Sequence, residues 1–212
     1  MKTKLTFISI VLIVSSLFSF NNQKGRSSIE IGTKAPLTEY IMKDVSEKEY
    51  SLIDLNQENG ILIIFSCNTC PFVVGSKDNE GWENRYNDLY ETCKKNNIGM
   101  ALVNSNEAKR KGDDSFEQMK NHSFENKYKA PYLIDKNHKL ADAFGASTTP
   151  HVFLFNHSLE LVYKGAIDDN YEDIDKVKEF YLEDAIEQLV KGKRIKLSET
   201  MPVGCSIKRY KP

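Results

Sequence analysis

Two cysteines three positions apart are the residues best suited to chemistry in this sequence. Cys67 and Cys70 lie in "FSCNTCPF", with Asn68 and Thr69 between them and Pro71 directly after them. A thiolate can attack a disulfide, and a second thiol nearby can then close a ring and release the product. The spacing predicts a redox-active Cys67–Cys70 disulfide that needs no other cofactor. Asn68, Thr69 and Pro71 would form the active-site loop.

The predicted elements around the pair favour a reactive thiolate at Cys67. The run "GILIIFS" (60–66) is apolar throughout, which is typical of a strand buried on both faces, and a helix is expected after it. With Cys67 at the N-cap, Cys70 lies at the third helical position, and unpaired N–H groups point at the Cys67 sulfur. Such placements lower a cysteine pKa from about 8.5 to roughly 3.5–7.5. We therefore expect Cys67 to attack and Cys70 to resolve the mixed disulfide.

A proline far along the chain fits the same chemistry. Pro150 in "TTPHVFLF" stands at the start of a predicted strand, where proline is expected as a strand initiator or in a cis bond. Next to a Cys-x-x-Cys pair, the cis bond is the favoured interpretation. It would leave the backbone groups of Thr149 free to pair with an incoming peptide. Thr149 and Pro150 are therefore predicted to bind substrate.

The remaining patterns predict an α/β domain with three layers, in which a mixed central sheet carries helices on both faces. A break is expected near Gly75 and Gly81, before a helix whose apolar face includes Trp82 and Cys93. The predicted strands cover 60–66, 98–106 and 131–135, with a hairpin over 150–165, and 49–55 is expected to be an edge strand or a strand-to-loop segment. The other predicted helices cover 113–128, 138–145 and 173–190, the last with a buried side of Ile174, Val177, Tyr181, Ala185 and Leu189.

Composition and the first residues bear on location and partners. The chain has 212 residues and a net charge of −1, which gives no reason to expect a nucleic-acid partner. Residues 1–20 begin with two lysines and continue as a short apolar stretch, the layout of a secretory signal. We expect a linker over 21–30, one domain over 31–212, and an extracytoplasmic, periplasmic protein. It would stay at the membrane only if the leader were not cleaved.

Several motifs together resemble a known family. "GTKAP", "FSCNTCPF", "TTPHVFLF" and a closing helix are similar to the thioredoxin-like superfamily, in particular its redoxin branch of alkyl hydroperoxide reductase/thiol-specific antioxidant proteins. "CNTCPFV", "DDSFEQMK", "KGAIDDN" and "VGCSIK" resemble a group within it that has a CN-x-CP active site. The likeness implies a thioredoxin fold, with Cys67 as nucleophile, Cys70 as resolver and Pro150 as the cis-proline. It includes Cys205, a candidate third redox cysteine, although a structural thiol is the simpler interpretation.

The sequence also departs from thioredoxin itself. Asn68-Thr69 replaces the Gly-Pro found between the cysteines of thioredoxin, and the strand 60–66 contains no acidic residue. The group that would accept the proton of Cys70 therefore stays open. A direction of reduction is expected only by analogy with periplasmic relatives.

Two other functions stay as alternatives. A thiol-dependent peroxidase would carry P-x-x-x-T-x-x-C, but Gly60 and Ile64 stand at the proline and threonine positions relative to Cys67. A copper-binding module of the Sco type would have a cysteine spacing one residue longer and a distant histidine. No metal site is predicted, because no second Cys-x-x-Cys exists and the histidines lack ligand spacing; they are His122, His138, His151 and His157.

The sequence thus predicts a thiol–disulfide oxidoreductase that exchanges disulfides with extracytoplasmic proteins or small molecules. An electron donor, which the sequence does not identify, would reduce its disulfide back to two thiols. Cys93 is interpreted as a buried, inert thiol. The acidic run 168–175 is interpreted as a loop and as charge at a helix N-terminus.

Overall fold

The computed structural model of the protein describes residues 27–210. The predicted signal, residues 1–20, and most of the predicted linker lie outside this range, so both stay predictions. Ile29, at the end of the predicted linker, donates its backbone N–H to the carbonyl oxygen of Phe144 at 3.0 Å. Across the described range, no helix is both long and apolar enough to cross a membrane.

Strands and helices alternate through the first two thirds of the described chain. The strands are β1 (Met42–Asp44), β2 (Glu49–Tyr50), β3 (Gly60–Ser66), β4 (Ile98–Asn104), β5 (Tyr132–Ile134), β6 (Thr148–Thr149), β7 (His151–Phe155), β8 (Leu161–Gly165) and β9 (Cys205–Ser206). The α-helices are α1 (Leu52–Leu55), α2 (Pro71–Val74), α3 (Tyr86–Lys95), α4 (Phe116–Glu125), α5 (Lys139–Phe144) and α6 (Tyr181–Val190).

Seven of these strands form one mixed sheet in the order β2-β1-β5-β4-β3-β7-β8. The central strand β3 pairs in parallel with β4 and antiparallel with β7, so that Ile63 lies opposite both Ala101 and Phe153. Its side chains alternate between two cores. Leu62 and Ile64 pack with residues of α3 and α6, whereas the odd-numbered residues pack with α1 and α5. The predicted three-layer α/β architecture is confirmed.

Two segments differ from the sequence prediction. The predicted strand 49–55 ends at Tyr50, because Ser51 and Asp54 form a capping box that starts α1. The closing helix begins at Tyr181 rather than near Asp173, whose carboxylate instead caps a short 3-10 turn.

The predicted buried side of the closing helix is also wrong at its start. Ile174 is 46% exposed, because the turn that contains it precedes the helix. The buried residues of α6 are Leu182, Ala185 and Ile186. Of the residues predicted on this face, Ala185 is buried, and Tyr181 and Leu189 are partly buried and pack against the same core.

A small second sheet joins the C-terminal segment to the body of the domain. β9 pairs antiparallel with β6, and Cys205 lies opposite Thr149. The sequence predicted an irregular tail here, because a strand of two residues carries no periodic pattern. The pairing brings residues from the end of the chain next to the segment that precedes Pro150.

Candidate active site

The helix that follows the cysteines starts later than predicted. Cys70, not Cys67, is the N-cap of α2, and Pro71 is its first helical residue. Proline suits this position because its fixed φ matches the helix and its missing N–H would have no partner there. The prediction that Cys67 caps the helix is therefore wrong. Cys67 lies in the turn between β3 and α2.

The two cysteines are free thiols buried side by side. Cys67 is 2% exposed and Cys70 is 3% exposed. Their side chains are hydrogen-bonded to each other. Thr149 contacts both of them: its hydroxyl oxygen lies 3.1 Å from the Cys67 sulfur, and its carbonyl oxygen lies 3.0 Å from the Cys70 sulfur and accepts from that thiol when it is protonated.

The shared hydrogen bond separates the pKa values of the pair. It is the largest cause that lowers the pKa of Cys70 to about 5, and hydrogen bonds from Cys205 act in the same direction. The same bond raises the pKa of Cys67 well above its ordinary value, and burial adds to the rise. Cys67 therefore keeps its proton and donates it towards a Cys70 thiolate. The sequence placed the thiolate at Cys67, and the structure stabilises it at Cys70, because most of the donors converge there.

Asn68 anchors the active-site loop. Its backbone N–H donates to Asp114 Oδ1 at 3.0 Å, and its side-chain amide donates to the carbonyl oxygen of Asp113 at 2.8 Å. The hydroxyl of Tyr132 donates to Asn68 Oδ1 at 2.8 Å. Thr69 has an exposed side chain, and its backbone hydrogen-bonds the Cys67 sulfur. Asn68 thus fixes the turn that carries Cys67.

A buried acid next to Cys67 was missed by the sequence analysis. Asp114 is 0% exposed, and its carboxylate accepts from the side chains of Asn104 at 2.7 Å and Asn106 at 3.0 Å. Its negative charge contributes to the raised pKa of Cys67. Two buried asparagines at the end of β4 were the only sequence hint, and nothing in their spacing identified Asp114 as their partner.

The bond between Thr149 and Pro150 is cis, as expected. The backbone of Thr149 is not free, however, and this part of the prediction is wrong. It pairs with Cys205 across the small sheet, and the backbone N–H of Cys205 lies 3.4 Å from the Cys70 sulfur. The C-terminal strand occupies the edge at which an incoming peptide was expected.

His151 and Cys93 are both buried. Nδ1 of His151 accepts from the backbone N–H of Ser147 at 3.2 Å, and burial lowers the pKa of His151 to about 3, so the ring is neutral. Cys93 is 0% exposed, and burial raises its pKa to about 12. Within residues 27–210 there is no group of three or more side chains arranged to hold a metal.

The start of the acidic run 168–175 is part of the core. Asp168 is 5% exposed, accepts from Trp82 Nε1 at 2.8 Å and forms a buried ion pair with Arg85. Arg85 also donates to the carbonyl oxygen of Asn170 at 2.8 Å. The interpretation of the run as a loop and as charge at a helix N-terminus is therefore wrong at Asp168, whose buried carboxylate ties the loop after β8 to the start of α3.

Comparisons with known proteins agree with this architecture. A solved structure of an uncharacterized conserved protein from Geobacillus kaustophilus is 29% identical, with 86% of this chain and 93% of that chain covered at a TM-score of 0.76. The solved structure of a hypothetical protein from Sinorhizobium meliloti is 27% identical, with 88% of this chain and 98% of that chain covered at a TM-score of 0.77. The thioredoxin domain of a thiol-disulfide oxidoreductase from Bacteroides vulgatus is 17% identical, with 77% and 99% covered at 0.53, a likeness of fold alone.

No curated protein matches the chain. The profile of the AhpC/TSA family matches residues 31–164, a segment that contains both cysteines of the pair, Thr149 and Pro150. The match covers more than half of the 212 residues. The chain has a thioredoxin-like fold and belongs to the AhpC/TSA family.

Proposed function

We propose that this protein is a thiol–disulfide oxidoreductase whose working pair is Cys67 and Cys70. One observation carries the proposal: the free thiols of Cys67 and Cys70 are buried together, 2% and 3% exposed, beside the cis Thr149–Pro150 bond. The interaction between the two thiols lowers the pKa of Cys70 to about 5 and raises that of Cys67, so that a Cys70 thiolate forms beside a protonated Cys67. Thr149 contacts both sulfurs and holds them in register.

The arrangement supports attack by Cys67 with Cys70 as its base. As the Cys67 sulfur bonds to one sulfur of a substrate disulfide, its proton passes along the shared hydrogen bond to Cys70. The substrate S–S bond breaks, and the leaving thiolate takes that proton. The Cys70 thiolate then attacks the Cys67 sulfur, which forms the Cys67–Cys70 disulfide and releases the second substrate thiolate. The substrate gains two electrons, and the pair loses two.

β3, the strand before the cysteines, contains no acidic residue that could accept a proton, and this mechanism does not need one. In it, Cys70 itself serves as base in the first step and as nucleophile in the second. Asp114 anchors the loop, since it accepts three hydrogen bonds that hold Asn68, Asn104 and Asn106 in place.

Reduction of insulin disulfides tests the proposal. Purified wild-type protein with dithiothreitol should reduce insulin faster than dithiothreitol alone, and both Cys67→Ser and Cys70→Ser should abolish the difference. Cys67→Ser should form no mixed disulfide, whereas Cys70→Ser should trap one through Cys67 because the second step is lost. Cys93→Ser is the matched control, since Cys93 is a buried cysteine outside the pair. A wild-type protein that does not accelerate the reaction refutes the proposal.

A thiol-dependent peroxidase is the second candidate, and membership of the AhpC/TSA family favours it. The chain has Gly60 and Ile64 where the peroxidase motif has proline and threonine, so Cys67 lacks those two partners. Consumption of hydrogen peroxide by the reduced protein, with a sulfenic acid on Cys67 in the Cys70→Ser variant, would support this candidate. Peroxide turnover without insulin reduction would reverse the ranking.

We propose that the exchange takes place outside the cytoplasm, with protein or small-molecule disulfides as substrates and a separate thiol donor. The support is the leader-like sequence of residues 1–20. Fractionation of bacteria that express the full chain, with the N-terminus of the product sequenced, tests this. A processed protein in the periplasmic fraction is expected. An unprocessed protein in the cytosol would contradict it, and an unprocessed protein in the membrane would indicate an uncleaved anchor.

A further inference from the structure

The C-terminal strand is seated directly on the cysteine pair. Cys205 lies opposite Thr149 in the antiparallel pairing of β9 with β6. Its backbone N–H points at the Cys70 sulfur at 3.4 Å, and its side chain also hydrogen-bonds Cys70. Gly204 permits this close approach, since a Cβ at that position would lie 2.3 Å from the Thr149 carbonyl oxygen. Cys205 is therefore in direct contact with a sulfur of the proposed redox pair.

The segment that carries Cys205 is fixed on its far side. Ile207 is 5% exposed, and its backbone N–H donates to the carbonyl oxygen of Ser147 at 3.0 Å. The backbone N–H of Lys208 donates to Asn106 Oδ1 at 2.8 Å. The guanidinium of Arg209 donates to the Ala146 carbonyl oxygen at 2.6 Å. These contacts fix the segment that carries Cys205 in its position beside Cys67 and Cys70.

The three thiols differ in how far a reagent can reach them. Cys67 and Cys70 are 2% and 3% exposed, whereas Cys205 is only partly buried. Burial and the neighbouring Cys70 raise the pKa of Cys205 to about 11, so in the reduced protein it is a protonated donor to Cys70. An external thiol can therefore approach the sulfur of Cys205 more easily than either sulfur of the pair.

We propose that Cys205 is a third redox residue. It forms a disulfide with Cys70 in place of Cys67, and the external reductant then attacks that disulfide. The proposal rests on the proposed function, because it needs a Cys67–Cys70 disulfide to act on. The Cys205 sulfur attacks the Cys70 sulfur, the Cys67–Cys70 bond breaks, and a Cys70–Cys205 bond forms. The proton of Cys205 moves to Cys67, so this exchange involves no net oxidation.

Two equivalents of a thiol reductant complete the cycle. The first attacks the Cys205 sulfur, which releases Cys70 as a thiolate and leaves the reductant bound to Cys205 as a mixed disulfide. The second attacks the mixed disulfide at the reductant sulfur and leaves as the oxidised reductant. Cys205 recovers its thiol, and two electrons have entered the protein.

Disulfide mapping of the full-length protein tests the exchange. The Cys67→Ala variant, oxidised with diamide and digested without reduction, should give a Cys70–Cys205 cross-linked peptide. Cys67→Ala/Cys205→Ser is the matched control and should give no cross-link from Cys70. Cys67→Ala/Cys93→Ser should keep it, since Cys93 is buried elsewhere. A Cys67→Ala protein in which Cys70 stays unlinked to Cys205 overturns the proposal.

A measurement on the unmutated pair separates exchange from mere proximity. Oxidised wild type should be re-reduced by glutathione faster than oxidised Cys205→Ser, with stopped samples of wild type containing both the Cys67–Cys70 and the Cys70–Cys205 linkage. Equal rates for the two proteins overturn the role of Cys205. A protein that forms the cross-link but does not reduce insulin refutes the proposed function alone. One that reduces insulin but forms no cross-link refutes the third-cysteine proposal alone.

Discussion

Replacing Cys67 with alanine removes the hydrogen bond that does most to lower the pKa of Cys70 to about 5. With that pKa, Cys70 is about 99% ionised at pH 7, whereas a thiol with an ordinary pKa of about 8.5 is about 3% ionised. The desolvation of Cys70 opposes ionisation and stays in the variant, while the donors from Cys205 also stay. We therefore expect the Cys70 titration in Cys67→Ala to move from about 5 towards the ordinary value.

The midpoint of the titration is the quantity to measure, rather than a rate at one pH. A thiolate loses intrinsic nucleophilicity as its pKa falls, with a Brønsted coefficient of about 0.4–0.5. A rise of the pKa from about 5 to about 8.5 would then increase nucleophilicity by roughly 25-fold to 55-fold and decrease the thiolate fraction at pH 7 by about 30-fold. The two effects nearly cancel in an alkylation rate. Thiolate absorbance near 240 nm, followed over pH, reports the ionisation itself.

In the reduced wild type, the described cysteines should give one thiolate step in the acidic range. The pKa values of Cys93 and Cys205 are raised to about 12 and about 11, and the pKa of Cys67 is raised as well. Cys205→Ala serves as the matched control, because the backbone N–H at that position remains, and its midpoint should move less than that of Cys67→Ala. A wild-type protein without a thiolate below pH 8, or a Cys67→Ala variant with an unchanged midpoint, would refute the shared-proton arrangement.

The same ionisation predicts how stability depends on pH. The folded-state pKa of Cys70 is below its unfolded value, so its contribution to the free energy of unfolding is full above the unfolded pKa and is lost as the pH falls through about 5. Urea unfolding of the reduced protein should show stability rising between about pH 5 and pH 8.5. Cys67→Ala should flatten this rise. A rise of equal size in the variant would contradict the assignment.

Two further substitutions test the surroundings of the pair by urea unfolding. Asn68→Ala removes the acceptor of the buried Tyr132 hydroxyl and should lower the free energy of unfolding by about 1–3 kcal/mol. Thr69→Ala, at an exposed side chain, should change it by no more than about 0.5 kcal/mol. Equal losses would contradict the anchoring role of Asn68. Arg85→Met leaves the buried Asp168 carboxylate without its cation and should lower the free energy of unfolding by about 3–5 kcal/mol. The double variant Arg85→Met/Asp168→Leu should recover part of this loss. A double variant less stable than Arg85→Met would argue against an uncompensated charge as the cause.

The elements closest to the site were predicted well where a single pattern decided them. The run 60–66 became β3 without a change of boundary, because every residue of a strand covered on both faces must be apolar or small. Cys93 lies on the buried side of α3 as predicted, whereas Trp82, also in the core, precedes the helix. The cysteines at the end of β3 could therefore be located from the sequence alone.

The predicted N-cap of α2, Cys67, was wrong, although Pro71 in the sequence indicated the correct one. Pro71 is well suited to the first position of a helix, which makes the residue before it the N-cap. Taking that preference first would have assigned the cap to Cys70.

Asp114 and Cys205 could not have been predicted by any local pattern. Asp114 meets the backbone of Asn68 from 46 residues away, and Cys205 meets Cys70 from 135 residues away. Both contacts depend on how separate elements pack, and neither residue lies in a long periodic segment. Sequence reasoning could name Cys205 as a candidate third redox cysteine or a structural thiol, but its distance to the pair required the fold.

Thr149 links these separate contacts into one unit. Its hydroxyl faces Cys67, its carbonyl oxygen faces Cys70, and its backbone pairs with Cys205. A displacement of β9 would therefore remove two hydrogen bonds from Cys70 and expose the sulfurs together. Because those hydrogen bonds lower the pKa of Cys70, the pairing of β9 with β6 affects the charge of the cysteine pair as well as its burial. The C-terminal strand thus acts on the chemistry of the pair through its backbone as well as through its thiol.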